Sequence, residues 1–205
     1  MEGTAQIVPL TLDQYHGMID EGLLARSAPV ELIGGFLIRK DASAAAQDDA
    51  AANDLHADVI SRIEKLSPLI ESLGGQIRSQ LPIAIPPSSE PEPDISIVRA
   101  EAADDANRQT HQYPGPRDVL CVIEVADHSL RFDQTTKLET YAAAGIPCYV
   151  IVDLAHDQIE VHSHPIADQR IFAHREKFTR GQTLWLPMGN GKALDVAAEK
   201  ILPRK

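Results

Sequence analysis

The segment Cys121–Tyr149, CVIEVADHSLRFDQTTKLETYAAAGIPCY, restricts the fold more than any other stretch of the chain. It opens inside a run, Val119 to Val125, that is apolar at almost every position. Such a run fits a strand covered on both faces. A short polar loop follows, then Asp133 to Ala144 reads as a helix stopped by Gly145, and Pro147 to Val152 reads as a second central strand. Strand, helix and strand in succession point to helices laid over a mixed sheet, which places the chain in the α/β class. One residue breaks the pattern. Glu124 sets a carboxylate near the end of the first strand, where an ionised group is costly unless something compensates it.

The other segments can be arranged around this unit. Thr11 to Asp20 predicts a first helix, with Thr11 and Gln14 at capping-box spacing, Leu12, Tyr15 and Ile19 on one side, and Gly22 after its end. Val30 to Ile38, VELIGGFLI, predicts two short strands around the Gly34-Gly35 turn. Asp41 to Asp54 is rich in Ala and Asp and reads as an exposed connection. From Leu55 to Leu73, apolar residues at steps of three and four predict a long helix, capped by Asn53 or Asp54, stopped by Gly74-Gly75 and kinked or split at Pro68. Gln76 to Ile85 reads as a strand, Pro86 to Pro93 as a stiff extended crossing, and Asp94 to Val98 as a short strand opening on an acid. Residues 99 to 117 form the longest polar loop. Asp157 to Ser163 alternates as a strand would, after a hairpin at Asp153 to Asp157, and the tail holds a short strand at Thr183 to Leu186 and an apolar patch from Leu194 to Leu202. A length of 205 residues suits a single domain over 1–205.

Composition narrows the setting. No run approaches the roughly 18 apolar residues of a membrane span, and the N-terminus shows no basic region before an apolar stretch, so a cytoplasmic protein with no membrane role is expected. Cys121 and Cys148 lie inside apolar runs and are expected as free thiols. The net charge of −11 opposes long-range attraction to a polyphosphate, so any nucleic-acid role needs a local basic surface, a partner or metal ions. No Ser or Cys stands in a nucleophile elbow, no paired Cys motif suggests zinc, and Gly34-Gly35 lacks the Lys and following helix of a phosphate loop.

Several residues carry two readings. Glu124 could be paired with a basic side chain, or could hold a hard cation, which takes one or two carboxylates plus waters. Asp94 alone is an ordinary strand-start acid. If the strands beginning at Asp94 and Val119 are antiparallel neighbours, however, the start of one faces the end of the other and the two acids meet. Asp133, Lys137 and Tyr141 recur at intervals of four, which is either a commonplace exposed Asp–Lys pair or a helix aiming a Lys back at Glu124. Tyr141 is either core or a hydrogen-bond donor into such a site. His56 could point to the same edge of the sheet, with a structural role preferred. Glu160, His162 and His164 share a strand face, read as solvated in preference to a transition-metal site.

Beyond spacing, PEPDISIV, DVLCVIEVADHSLRFDQTTKLETYAAAGIPCYVIVD and QIEVHSHP resemble the Uma-two family of restriction-endonuclease-like proteins, within the PD-(D/E)XK nuclease superfamily. The likeness runs from about Thr11 to past Trp185. It implies a restriction-endonuclease-like fold, a central mixed β-sheet flanked by helices. It also implies a DNA endonuclease that uses Mg²⁺ or Mn²⁺, with Asp94 and Glu124 as metal ligands and the Val125 backbone carbonyl as a further one. The superfamily places a Lys two residues after the second acid. Here that position is Ala126, and Lys137 on the following helix is the implied replacement. Asp133, Tyr141, Glu31 and His56 are implied as supporting residues, and a homodimer by analogy. His128, and Cys148 and Val150 in the second strand, depart from the family pattern. The competing class is a non-catalytic module that keeps the fold and binds nucleic acid or protein.

Overall fold

The computed structural model describes residues 6–40, 50–104 and 107–204. Its centre is a six-stranded mixed sheet. In chain order the strands are β3 (Gly75–Ser79), β4 (Ile95–Arg99), β5 (Val119–Ala126), β6 (Cys148–Asp153), β7 (Gln158–Ile166) and β8 (Ile171–Phe178), and they lie side by side in that same order. Only β5 and β6 run parallel; the other neighbours are antiparallel. Two hairpins stand apart from it, β1–β2 (Val30–Ile33, Phe36–Arg39) and β9–β10 (Thr183–Gly189, Lys192–Ala197).

The alternation of side chains along β5 and β6 builds two cores, one on each face. Cys121, Ile123, Val125, Cys148, Val150 and Val152 face α2 (Ala50–Glu64), α3 (Ser67–Ser72) and the β9–β10 hairpin. Val122, Ala126, Tyr149 and Ile151 face α6 (Leu138–Ala143), through Tyr141, together with Ile83 and Ile85. All of β5 and β6 is buried, which explains their unbroken apolar composition. The β4–β5 register pairs Ile95 with Ile123, so Asp94 and Glu124 lie at adjoining strand ends.

Helix α1 (Leu12–Asp20) has the capping box, with Thr11 and Gln14 bonding reciprocally. Pro68 does split the long helix, into α2 and α3. Other boundaries differ. α2 begins at Ala50, so Asn53 and Asp54 lie inside it rather than capping it, and most of the Asp41–Asp54 connection lies outside the described residues. β3 stops at Ser79 because Gln80 takes φ +51°, which leaves the pleat. Pro86–Pro93 is not simply extended: Ile85 and Ser89 pair across a tight turn containing a cis Pro86-Pro87 bond. The long loop holds a short helix, α4 (Ala100–Asp104), and a 3₁₀ turn, Arg108–Thr110. The crossover helix starts early, as α5 (Leu130–Phe132), and passes through a π-helical turn, Asp133–Lys137, into α6. Cys121 and Cys148 are free and buried. Among the described residues no helix is long and apolar enough to cross a membrane.

The Glu160–His162 face of β7 is the clearest departure. It is buried, with Glu160 0% and His162 4% exposed, instead of solvated. Arg175 and Lys177 on β8 pair with the Glu160 carboxylate at 2.7 and 3.2 Å, and Gln134 donates to it at 3.2 Å. The acid is therefore compensated, while His162 packs among Tyr149 and Phe172.

Candidate active site

The site is assembled where β4 begins and β5 ends. Since β4 starts at Ile95, the edge of β5 beyond Ile123 has no strand partner on that side. Asp94 fills the gap: its Oδ2 accepts the Val125 N–H at 2.8 Å and lies 3.1 Å from His56 Nε2. A β residue sends its N–H and C=O to the same edge, so the Val125 carbonyl also faces the Asp94 side. The Asp94 N–H in turn points at Glu124 Oε2 across 3.4 Å.

Glu124 projects from the face of β5 that carries Val122 and Ala126, the face on which α6 lies. Lys137 Nζ and Tyr141 OH both donate to its Oε1, each at 2.9 Å. The wider π turn ends at Lys137, and its ammonium also reaches Glu31 Oε1 at 3.6 Å and Asp133 Oδ1 at 4.0 Å. Glu31 enters from β1, held by the Glu92 N–H at 3.0 Å, and β1 is itself bridged to the same segment through Leu32 and Glu90. Asp133 is fixed by the Ser129 hydroxyl at 2.6 Å, and the Tyr149 hydroxyl donates to the Asp133 carbonyl at 3.1 Å.

The structure thus gathers Asp94, Glu124, Lys137, Glu31, His56 and Asp133 on one cleft of about 380 Å³, with Tyr141 beneath it. His128 is at its rim, and Ala126 is wholly buried in the core. Sequence reading passed over Ser129, Tyr149, Arg39, Lys40 and Glu92. Ser129 stands four residues before Asp133, a helical spacing that could have flagged it. Lys40 comes through the hairpin to pair with Glu92, an ion pair between residues far apart in sequence that spacing cannot reveal.

Charge is unbalanced here. Six carboxylates, Glu31, Glu92, Asp94, Glu124, Asp127 and Asp133, line the cleft against the cations Arg39, Lys40 and Lys137 and the imidazoles of His56 and His128. Burial raises the pKa of Glu124 to about 8 against the pull of Lys137, and Asp94, Asp133 and Glu31 push it the same way as burial. Burial raises Asp133 as well, opposed by Lys137 and Ser129. Burial works against the charge on Lys137, but Glu124, Glu31 and Asp133 outweigh it and hold the ammonium protonated. The hydrogen bond to Asp94 raises His56. A site with this surplus of buried acid favours any added cation. Among the described residues, Oδ1 of Asp94 is left over as an acceptor, and Oε2 of Glu124 is engaged only by the long hydrogen bond from Asp94. Among the described residues no three His, Cys, Asp or Glu side chains form a ready-made metal cage. Mg²⁺ does not need one, since one or two carboxylates and waters suffice.

Fold and cleft together define a class: an α/β protein of restriction-endonuclease-like architecture, with acids at adjoining strand ends of its mixed sheet. Residues 12–194 match the Uma2 family, described as "Putative restriction endonuclease", and the chain belongs to that family. Among solved structures it is similar to a "putative nuclease belonging to DUF820" from Anabaena variabilis ATCC 29413, at 16% identity and a TM-score of 0.64, over 94% of this chain and 97% of that one. At this identity the likeness bears on the fold. No curated protein matches the chain.

Proposed function

We propose that the protein is a divalent-metal-dependent endonuclease that hydrolyses phosphodiester bonds in DNA, of the PD-(D/E)XK type. The observation that carries this reading is the meeting of Asp94 and Glu124 at adjoining strand ends with the Lys137 ammonium 2.9 Å from Glu124. Asp94, Glu124 and the Val125 carbonyl would hold Mg²⁺ or Mn²⁺, which supplies charge neutralisation for the phosphate and acidifies a bound water. Lys137 orients the attacking water and stabilises negative charge growing on the phosphorus oxygens. Tyr141 and Asp133 hold Lys137 and Glu124 in register, Glu31 balances the ammonium, and His56 fixes the Asp94 carboxylate. The family description and the nuclease-titled structural neighbour support the same reading.

Supercoiled plasmid should be nicked only with added Mg²⁺ or Mn²⁺, and Glu124→Ala and Lys137→Ala should each reduce the rate by at least about 100-fold, the scale of losing a group that stabilises transition-state charge. Full metal-dependent nicking by both variants would sink the assignment. The competing reading, a non-catalytic module on the same fold, draws on the net charge of −11, which repels DNA. Titration calorimetry separates the two: the module predicts no Mg²⁺ or Mn²⁺ uptake at millimolar concentration, the nuclease predicts uptake lost in Asp94→Ala.

A further inference from the structure

A second cavity, of about 530 Å³, lies between the C-terminal half of α2, α3, β10 and the 3₁₀ turn after it. Four cations line it, Arg62, Lys65, Lys200 and Arg204, against one acid, Asp195. Its floor is apolar, from Leu66, Leu69, Val196 and Ala197. In a chain with 30 acids and 19 Lys plus Arg, such a concentration of positive charge is a local reversal of the overall sign.

The four cations are not spent on carboxylates. Among the described residues none of them forms an ion pair. Arg62 donates one Nη–H to the Glu199 carbonyl, while its buried Nε–H has no partner among the described residues. Besides Asp195, two acids lie at its border outside ion pairs with these cations: the Glu199 carboxylate accepts the Gly181 N–H at 3.2 Å, and Asp58 accepts the Arg204 N–H at 3.3 Å. An unmet buried donor and unneutralised cations both lower the free energy of an anion placed there.

Helix α2 measures how this surface relates to the catalytic cleft. His56 on α2 touches Asp94 in the cleft, Asp58 two residues on touches the backbone of Arg204, and Arg62 and Lys65 follow. At 1.5 Å per residue, the basic surface begins at Arg62, about 9 Å along the axis from His56, and extends to Lys65 at about 14 Å. That is the scale of a few successive phosphates on duplex DNA. It also supplies the local basic surface that a DNA enzyme with a net charge of −11 requires.

We propose that the surface formed by Arg62, Lys65, Lys200 and Arg204 is a sequence-independent docking site for the phosphate backbone of the duplex whose scissile bond lies at Glu124 and Asp94. This rests on the nuclease reading above, and the two are separable by experiment. Lys65, Lys200 and Arg204 are exposed, so the triple variant Lys65→Glu/Lys200→Glu/Arg204→Glu leaves the fold intact. Binding of a fluorescein-labelled duplex is measured by anisotropy in EDTA over a salt series, and plasmid nicking in Mg²⁺. The triple variant should bind at least about tenfold more weakly, with a log–log salt slope shallower by about 3, one for each phosphate that no longer meets a cation. It should cleave bis(p-nitrophenyl) phosphate, which does not reach this surface, at the wild-type rate. Arg62→Ala should lower duplex affinity in the same direction.

Wild-type affinity and salt slope in the triple variant, with nicking intact, would overturn the docking site and leave the nuclease reading standing. A wild-type protein that binds duplex through these residues but never nicks would overturn the nuclease reading and leave the docking site standing. Saturable binding of ATP at this surface, tighter than that of duplex, would show that its ligand is a free nucleotide and would overturn the assignment to DNA.

Discussion

At the scale of single residues, the outcome for each polar group turns on whether a partner reaches it. Glu124 and Glu160 both interrupt apolar strands, and both are compensated, one by Lys137 and Tyr141 and the other by Arg175, Lys177 and Gln134. His162 is the contrast. It is 4% exposed and its Nε2 has no hydrogen-bond partner among the described residues, with Glu160 Oε2 at 3.4 Å. Burial lowers its pKa below the ordinary 6.5. The folded protein therefore holds His162 neutral where the unfolded chain takes up a proton. Stability tied to this group is present above the unfolded pKa of 6.5 and is lost as pH falls through the folded pKa. His162→Phe keeps the ring among Tyr149 and Phe172 and removes the titration. Chemical denaturation at stepped pH should show wild type losing stability on the acid side of 6.5 and the variant losing less. Parallel curves would show that His162 does not titrate on unfolding. Alternation in the sequence correctly placed Glu160 and His162 on one face. It could not show that the face was covered, because Arg175, Lys177 and Phe172 come from the next strand. The catalytic candidates were more legible. Glu124 is conspicuous in an aliphatic run, and the spacing of Asp133, Lys137 and Tyr141 survives the π turn.

At the scale of elements, the β1–β2 hairpin shows how the turn at the end of the strand that carries Glu31 supports the site. Its Gly35 takes φ +82°, and a Cβ there would meet Pro9 Cβ at 2.2 Å and the Leu10 backbone nitrogen and oxygen at 2.9 Å. The Leu10 N–H donates to the Gly35 carbonyl and the Gly35 N–H to Ser88, so neither side can retreat without losing the bonds that seat the hairpin. Gly35→Ala should therefore lower stability by about 2–4 kcal/mol, from the strained φ and the overpacking together. It should also loosen Glu31, whose strand this turn aligns. Gly34, with φ +59° and open space around it, should accept Asn within about 0.5 kcal/mol. Urea unfolding of the two variants checks the contrast, and equal losses would place the constraint outside Gly35. The hairpin, the central strands and the split at Pro68 were legible because each rests on local chemistry: a Gly-Gly turn, a two-sided apolar strand, a missing N–H. The early end of β3, the tight turn within Pro86–Pro93 and the start of the crossover at Leu130 were not. Each depends on backbone geometry that residue types permit without requiring, such as the positive φ of Gln80.

At the scale of the whole molecule, charge is the quantity to follow. The net −11 destabilises a compact state through self-repulsion, and the candidate site concentrates that repulsion by burying Glu31, Glu124 and Asp133 beside the less buried Asp94. Lys137 meets only part of it. A divalent cation bound between Asp94 and Glu124 would act on the folded state alone, since the unfolded chain has no such pair of acids held together. Stabilisation then follows mass action, about 2.7 kcal/mol when the free cation is 100 times its dissociation constant. Tm should rise with millimolar Mg²⁺ or Mn²⁺ and should not rise in NaCl of matched ionic strength, which screens surface charge without entering the site. The rise should disappear in Asp94→Ala and in Glu124→Ala. Glu124→Ala should in addition be less stable than wild type without metal, because it leaves the Lys137 ammonium and the Tyr141 hydroxyl without their shared acceptor. Thermal unfolding monitored by circular dichroism reads all of these without reference to activity. A metal-induced rise that survives both substitutions would place the bound cation elsewhere on the acidic surface.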